Sequence, residues 1–526
     1  MIPESGSAAA AVRRRSSLLA ALLSGLLPGA GQWYAGRRRR GLWMIGVSVA
    51  LTTPALVIVL LLFGPWEISG VGLAVDLVRP FFQHPNLLLL LFAAIAALLA
   101  FRAFAVIDAF LAARGTEFRK DGWRGYRPAL VAAGIGLVLA FVAWPHAWAG
   151  ERALALHDFV TTDFTADPGQ ATTTTTTAPT TTTSTTSTST SEGSTSTTST
   201  TTTTAPTTTT AAPPTAYGDD GRLTVVLLGG DAGPGRWGIR TDTIIVVSVD
   251  PVAERAAMFS IPRNQIHWPV PPGIPAYDRW ADHTFPEIMN TIYQYGLGRP
   301  ELFPGGPNTG GNAVKAILSE GLGLEVDYFA LVDLLGFVDL VDSLGGIDIY
   351  VTKPVNDPKQ LWPNGALVDV VIKEGFHHFD GLWALAYARV RQQDNDYYRM
   401  DRQRCVLEAA AAQADPFTLL MDLPILLPIV QENLITDIPV GMFPDLIELL
   451  DRVGTDAVTS VRFVPAAPEL AGTGNSYTNG TDSLGYWYPN LEFIRATVQD
   501  LLAGEPIGDP GAEIDLPSLE EVCRAG

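Results

Sequence analysis

Cysteine is almost missing from this chain: Cys405 and Cys523 are the only two in 526 residues. No CxxC pair and no Cys/His cluster occurs, so the usual structural zinc sites are excluded. The two thiols either pair as a disulfide, if their domain faces an oxidising compartment, or stay buried and free. Positive charge is short too, with 35 Lys and Arg against 54 Asp and Glu and a net charge of -19. Such a chain lacks the broad basic face that general nucleic-acid binding needs. The glycines of GGDAGPG (229–235) are not followed by the Lys-Ser/Thr of a phosphate-binding loop, which argues against nucleotide binding there. His377 and His378 have no partner at metal-ligand spacing and read as a solvated loop before a helix.

The charge that is present is unevenly spread. Residues 1–150 hold 14 Lys and Arg against 6 Asp and Glu, a surplus of 8, which leaves -27 for the rest. The same 150 residues hold apolar runs at 41–63, 87–112 and 128–148. Each reaches the roughly 20 residues that a membrane crossing takes. Arg37 to Arg40 precede the first, and Arg114, Arg119, Lys120, Arg124 and Arg127 separate the second from the third. Basic loops stay cytoplasmic, so 64–86, with Arg79 alone, is expected outside, as is everything after 150. A shorter run, 16–36, is broken by Pro28 and glycines and has basic residues at both ends. It is expected as a re-entrant hairpin or two short helices, with a cleaved signal peptide as the rival reading. PGAGQWYAGRRRRG, which overlaps its end, loosely resembles the turn of small bacterial two-helix membrane domains. Arg102 and Asp108 lie toward the cytoplasmic end of the second long run, where snorkelling or mutual pairing is expected.

The domain organisation follows. Residues 1–150 are the membrane region and 151–216 a linker. Residues 171–215 of that linker are almost all Thr, Ser, Ala and Pro. They have too few apolar side chains to repay the entropy of folding, and read as a stalk open to O-glycosylation. Extended, the stalk would reach on the order of 140 Å and could hold a domain away from the membrane. From 217 to 510 the pattern is globular, with a short tail at 511–526. Strands are expected at 223–230, 242–251, 256–262, 328–334 and 347–352, and helices at 312–323, 334–346, 380–390 and 398–414. That mixed order predicts an α/β domain with a mixed sheet flanked by helices.

Five arginines crowd into ALAYARVRQQDNDYYRMDRQR: Arg389, Arg391, Arg399, Arg402 and Arg404. A helix end, a polar turn at QQDND and a helix start would bring several guanidiniums together. Guanidiniums grip oxyanions in bidentate fashion and repel one another unless an anion lies between them. Alternatively, Asp394, Asp396 and Asp401 neutralise them in ordinary salt bridges. Asp231 ends one expected strand and Asp242 begins the next, with Arg240 beside it and Arg263 past the third. If the first two strands are neighbours, two carboxylates share an edge with the arginines. That is what a Mg²⁺-bound pyrophosphate needs: acids for the hard cation, arginines for the phosphate charge. One acid could instead serve as base toward an attacking hydroxyl. An Asp at a strand terminus is also a common turn residue.

In this order, VVLLGGDAG, RTDTIIVVSVDP, FSIPRN, IMNTIYQYG, LVDSLGGIDIYV and FDGLWALAYARVRQQDNDYYRMDRQR resemble the LytR-CpsA-Psr family of cell-wall ligases over about 217–505. The resemblance implies a membrane-tethered, Mg²⁺-dependent phosphotransferase with an α/β/α domain outside a Gram-positive-type cell. It would move a glycopolymer from a polyprenyl-pyrophosphate carrier to peptidoglycan through a phosphodiester, with the prenyl tail in an apolar tunnel. By the same resemblance Asp231 and Asp242 are the metal and catalytic acids. Arg263 and Arg391 act on the reacting phosphate, and Arg240, Arg389, Arg399, Arg402 and Gln403 bind the pyrophosphate. The family usually has Asp after the IPR arginine, where this chain has Asn264. A hydrolase using the same site, or a non-catalytic wall-binding or regulatory membrane protein, are the competing readings.

Overall fold

The computed structural model describes residues 16–63, 70–117, 128–165, 218, 220–231, 238–362, 365–390, 396–414, 426, 429–455, 457–465, 467, 470, 475–507 and 523. The expected stalk, the QQDND turn with Arg391 and most of the tail lie outside the described residues.

The run at 16–36 forms two short helices, α1 (Ser17–Leu26) and α2 (Ala30–Tyr34). They turn at Gly29, whose φ is +102° and where a Cβ would sit 2.3 Å from the Gly41 carbonyl oxygen, so only glycine fits. Then come α3 (Arg38–Phe63), α4 (Gly70–Gln83), α5 (Asn86–Glu117) and α6 (Pro128–Val160). Among the described residues two helices are long and apolar enough to cross a membrane, Asn86–Arg114 and Val131–Val160. The apolar run at 41–63 is helical within α3. Arg102 and Asp108 do not pair with each other. The Asp108 carboxylate accepts from Gln32 Nε2 at 3.1 Å and lies 3.0 Å from Arg40, while Arg102 donates to the Gly25 carbonyl at 3.1 Å. Both charges therefore hold the α1–α2 hairpin, at whose centre Ser24 Oγ donates to Gln32 Oε1.

One expectation needs correction here. Residues 64–86 read as an outside loop, yet 70–83 form α4 despite Pro80. Val75, Val78 and Phe82 recur at helical spacing, and Val75 and Phe82 are buried, so burial of this face outweighs the lost hydrogen bond of an internal proline.

The α/β domain is built on a six-stranded mixed sheet. Its strands are β1 (Leu223–Gly230), β2 (Thr241–Asp250), β3 (Arg255–Ser260), β6 (Tyr328–Asp333), β11 (Leu434–Thr436) and β12 (Val458–Arg462), in spatial order β11-β6-β1-β2-β3-β12. β1 and β6 run parallel, as do β3 and β12; the other pairs are antiparallel. Alternation along the strands serves two faces. Val226, Leu228, Ile244, Val246 and Phe259 enter the main core, together with residues of α7 (Ile292–Gly298), α8 (Thr309–Leu322) and a late helix at Leu491–Ala503. Leu223, Val249 and Ala256 face the opposite way, against a helix at Phe443–Val453. Full burial of each such side chain contributes about 1.5–3 kcal/mol.

A smaller lobe carries its own core. It comprises α9 (Leu334–Ser343), α10 (Gly381–Arg389) and α11 (Asp396–Gln413), with two ribbons, β7 (Ile347–Val351) with β10 (Gly375–Phe379) and β8 (Val355–Leu361) with β9 (Leu367–Ile372). Two further short ribbons complete the strands: β4 (Trp268–Pro269) with β5 (Thr284–Phe285), and β13 (Thr478–Thr481) with β14 (Trp487–Pro489). The helices at Phe443–Val453 and Leu491–Ala503 are α12 and α13. His377 and His378 fall on β10, a strand, where His378 Nδ1 lies 2.8 Å from Asp348 on β7. Cys405 and Cys523 are bonded, with Cα atoms 5.3 Å apart across a sequence separation of 118. This pins the chain end to α11.

Candidate active site

Strand pairing brings the two acids together. β1 and β2 are antiparallel, with Gly230 opposite Thr241, so Asp231 and Asp242 occupy one end of the central sheet. The Arg240 carbonyl joins them, accepting from Asp231 N at 2.7 Å and from Asp242 N at 3.1 Å. The Arg240 side chain itself is exposed. β3 runs back antiparallel to β2 and ends at the same edge, with Arg263 just beyond it.

Around Asp242 the charged groups form a closed circuit. Its Oδ1 accepts from Arg263 Nη1 at 2.7 Å and from Asn290 Nδ2 at 2.8 Å. Arg263 Nε donates to Asp396 Oδ2 at 3.1 Å, and Asp396 also receives Arg399 Nη2 at 3.1 Å on Oδ1. Arg399 Nη2 returns to the Asp242 backbone carbonyl at 3.2 Å. Helix α11 makes this possible because Asp396 and Arg399, three residues apart, share a face. Gln403, one turn further, lines the same small cavity as Asp242, Arg263 and Arg399.

The electrostatics follow from this geometry. Burial pushes the Asp242 carboxyl up, but the Arg263 charge and hydrogen bond, the Asn290 hydrogen bond and the Arg399 charge outweigh it, and hold it at about 2. Arg263 is pulled down by burial and raised further by Asp242 and Asp396, so its net shift is upward. An Asp so depressed is a fixed anion and a weak proton acceptor.

The remaining arginines divide. Arg389, at the end of α10, lies 3.8 Å from Asp231 Oδ1 and donates to the Leu361 carbonyl at 3.1 Å. Arg402 is buried and turned toward the end of α10, donating to the Tyr387 and Val390 carbonyls at 3.0 and 2.6 Å. It satisfies carbonyls that a helix end leaves open. Arg404 faces elsewhere, to Asp401 at 2.6 Å and Ser460 Oγ at 2.7 Å. Asn264 does not orient Arg263. Its Oδ1 is buried without a hydrogen-bond partner, and its side chain lies near the Tyr397 hydroxyl, which burial and the neighbouring Asp396 push up to about 12.

Two participants were missed in the sequence. Asp396 reads there as an ordinary salt-bridge partner, and Asn290 only as part of a resembling block. The three-residue spacing of Asp396 and Arg399 was a usable signal; nothing local marks Asn290, 48 residues from Asp242.

Fold and site together define a class: an α/β domain behind apolar helices, with alternating carboxylates and guanidiniums at one sheet edge. Within it, this chain belongs to the LytR-CpsA-Psr family, whose sequence model matches residues 176–498. It is 28% identical over 222 residues to the regulatory protein MsrR of Staphylococcus aureus (strain COL), covering 42% of this chain and 58% of that one. It is 26% identical over 275 residues to the polyisoprenyl-teichoic acid–peptidoglycan teichoic acid transferase TagV of Bacillus subtilis (strain 168), covering 51% and 61%. The chain thus spans about three fifths of the length of these relatives. The crystal structure of B. subtilis TagV aligns over 54% of this chain and 97% of that one, at 23% identity and a TM-score of 0.39.

Proposed function

We propose that this protein is a membrane-anchored phosphotransferase that moves a glycopolymer from a polyprenyl-pyrophosphate carrier onto peptidoglycan. The observation that carries the reading is the circuit of Asp242, Arg263, Asp396 and Arg399 at the sheet edge. Guanidiniums held in place before substrate arrives can neutralise phosphate charge with little reorganisation. The family membership and the named activity of TagV support the same class of reaction.

In this reading an acceptor hydroxyl attacks the sugar-bearing phosphorus. A new P–O bond forms, the bond to the bridging oxygen breaks, and polyprenyl monophosphate leaves. Arg263, Arg399 and Arg389 would offset the charge on the reacting and departing phosphates. One of the two acids at this edge, Asp231 or Asp242, would take the hydroxyl proton. Asp231 and Asp242 suit Mg²⁺: both are hard carboxylate donors at one edge, and the ion commonly takes only one or two carboxylates beside phosphate oxygens. When bound it would supply Lewis-acid charge to the pyrophosphate. Apolar helices in the membrane and a domain outside it complete the proposal, with α3 as a third crossing beside α5 and α6.

The test uses the full chain in lipid nanodiscs with a polyprenyl-pyrophosphoryl glycan, peptidoglycan fragments and Mg²⁺. Mass spectrometry should find the coupled phosphodiester, lost in Arg399→Ala and Asp242→Ala. Phosphate release without coupling would favour a hydrolase. No turnover would favour a regulatory role, the reading in keeping with the naming of MsrR.

A further inference from the structure

The segment 166–217 separates the membrane helices from β1 in sequence, and its composition suggests a spacer. The described residues on either side of it point elsewhere. Helix α6 has 33 residues, about 50 Å at 1.5 Å per residue, against a hydrocarbon core of about 30 Å. Its last turns, beyond Glu151 and Arg152, therefore project past the bilayer, and they pack directly on the α/β domain.

Two contacts make that junction. Phe82 of α4, Phe159 of α6 and Phe164 are all buried and close on Phe443 of α12. Ring centroids lie 5.3 Å apart for Phe159 and Phe164, 5.7 Å for Phe159 and Phe443, and 6.3 Å for Phe82 and Phe159. Beside this cluster Arg79 of α4 reaches both Asp445 and Glu448 of α12 at 2.9 Å. Asp76 holds the same guanidinium at 2.7 Å.

The chain then docks on the sheet edge. The Phe164 carbonyl accepts from Thr436 N of β11 at 2.9 Å, and the Thr165 carbonyl from Asn308 Nδ2 at 3.1 Å. Gln431 Nε2 donates to Thr162 Oγ1 at 2.8 Å. After residue 217 the chain re-enters beside Asp327, where a Cβ on Gly218 would lie 2.4 Å from the carboxylate. Thr436 pairs with Ala330 of β6, three residues from Asp327. One end of 166–217 thus docks on β11 at Thr436, whose partner on β6 is Ala330, and the other lies beside Asp327 just before β6, three residues away along that strand, or about 10 Å at about 3.3 Å per residue.

We propose that α4 and the end of α6 form a fixed cradle for the α/β domain, and that these contacts, not the length of residues 166–217, set the domain's distance from the membrane. The consequence is geometric. The sheet-edge site is held at one height and orientation over the bilayer, whatever the length of the Thr-rich segment. This goes beyond the catalytic reading and stands without it.

The test uses the full chain in lipid nanodiscs, with a specific protease site inserted after residue 190. After cleavage the fragment carrying the α/β domain should co-elute with the nanodisc on gel filtration. The double variant Arg79→Glu, Phe82→Asp should release that fragment at least tenfold faster. Both substitutions lie outside the α/β domain, so its folding is not at stake. Release of the unsubstituted fragment on cleavage would overturn the proposal. Equal retention of both would overturn it too, because another surface would then hold the domain.

Discussion

Replacing Asp242 by Asn should cost stability in a pH-dependent way. The folded carboxyl titrates at about 2, against an ordinary 3.8. That depression corresponds to about 2 kcal/mol. Because the folded value is depressed, the stabilisation is present above pH 3.8 and drains away as pH falls toward 2. Asn keeps the shape and can still meet Asn290, but it leaves Arg263 with Asp396 alone. Thermal unfolding of the full chain in nanodiscs at pH 7 should show the variant about 4 °C lower, at roughly 2 °C per kcal/mol for a domain of this size. The gap should close as pH drops through 4 to 2. A gap of the same size at pH 7 and pH 2.5 would mean that the Asp242 charge is not what holds the circuit.

Three further outcomes are expected. Asp396→Ala removes the Asp396 carboxylate that pairs with the buried Arg399 guanidinium and should cost about 3 kcal/mol, the lower end for breaking a buried pair. Added inorganic pyrophosphate should restore the melting temperature of that variant more than that of the parent, and an equal response would count against an anion site. Cys523→Ser opens a loop of 118 residues and should destabilise by about 2–5 kcal/mol, with the parent in reductant matching the variant in thermal unfolding. Asp327 is pushed up to about 6 by burial, with Glu325 and Asp220 adding to it against the Thr224 hydrogen bond and Lys315. Its charged form therefore costs stability as pH rises from 3.8 through 6, so Asp327→Asn should raise the melting temperature at pH 8 and have little effect at pH 4.

Regular patterning was legible before any coordinates. β1, β2, β3 and β6 begin and end within two residues of the apolar β-branched runs that announce them. Period-two burial on a two-faced sheet leaves little choice of state for such runs. α12 was not legible, nor were the β8–β9 ribbon and α4, because a short amphipathic stretch or a helix with an internal proline holds its shape only against a partner.

For the site, sequence alone determined which residue types were available and near which element ends: Asp231 follows β1, Asp242 lies at the start of β2, Arg389 ends α10, and Arg399, Arg402 and Arg404 lie on α11. Chain proximity and alternation are local properties, and local properties can be read in one dimension. Only the tertiary structure decided how the arginines are spent. It sends Arg399 to Asp396 and Asp242, Arg402 to the carbonyls of α10, and Arg404 to Asp401 and Ser460. It likewise decided that Phe82, Phe159 and Phe164 close on Phe443 across more than 270 residues of chain. A guanidinium or an aromatic ring has no preference for a distant partner until packing removes the water between them, and that selection is made in three dimensions.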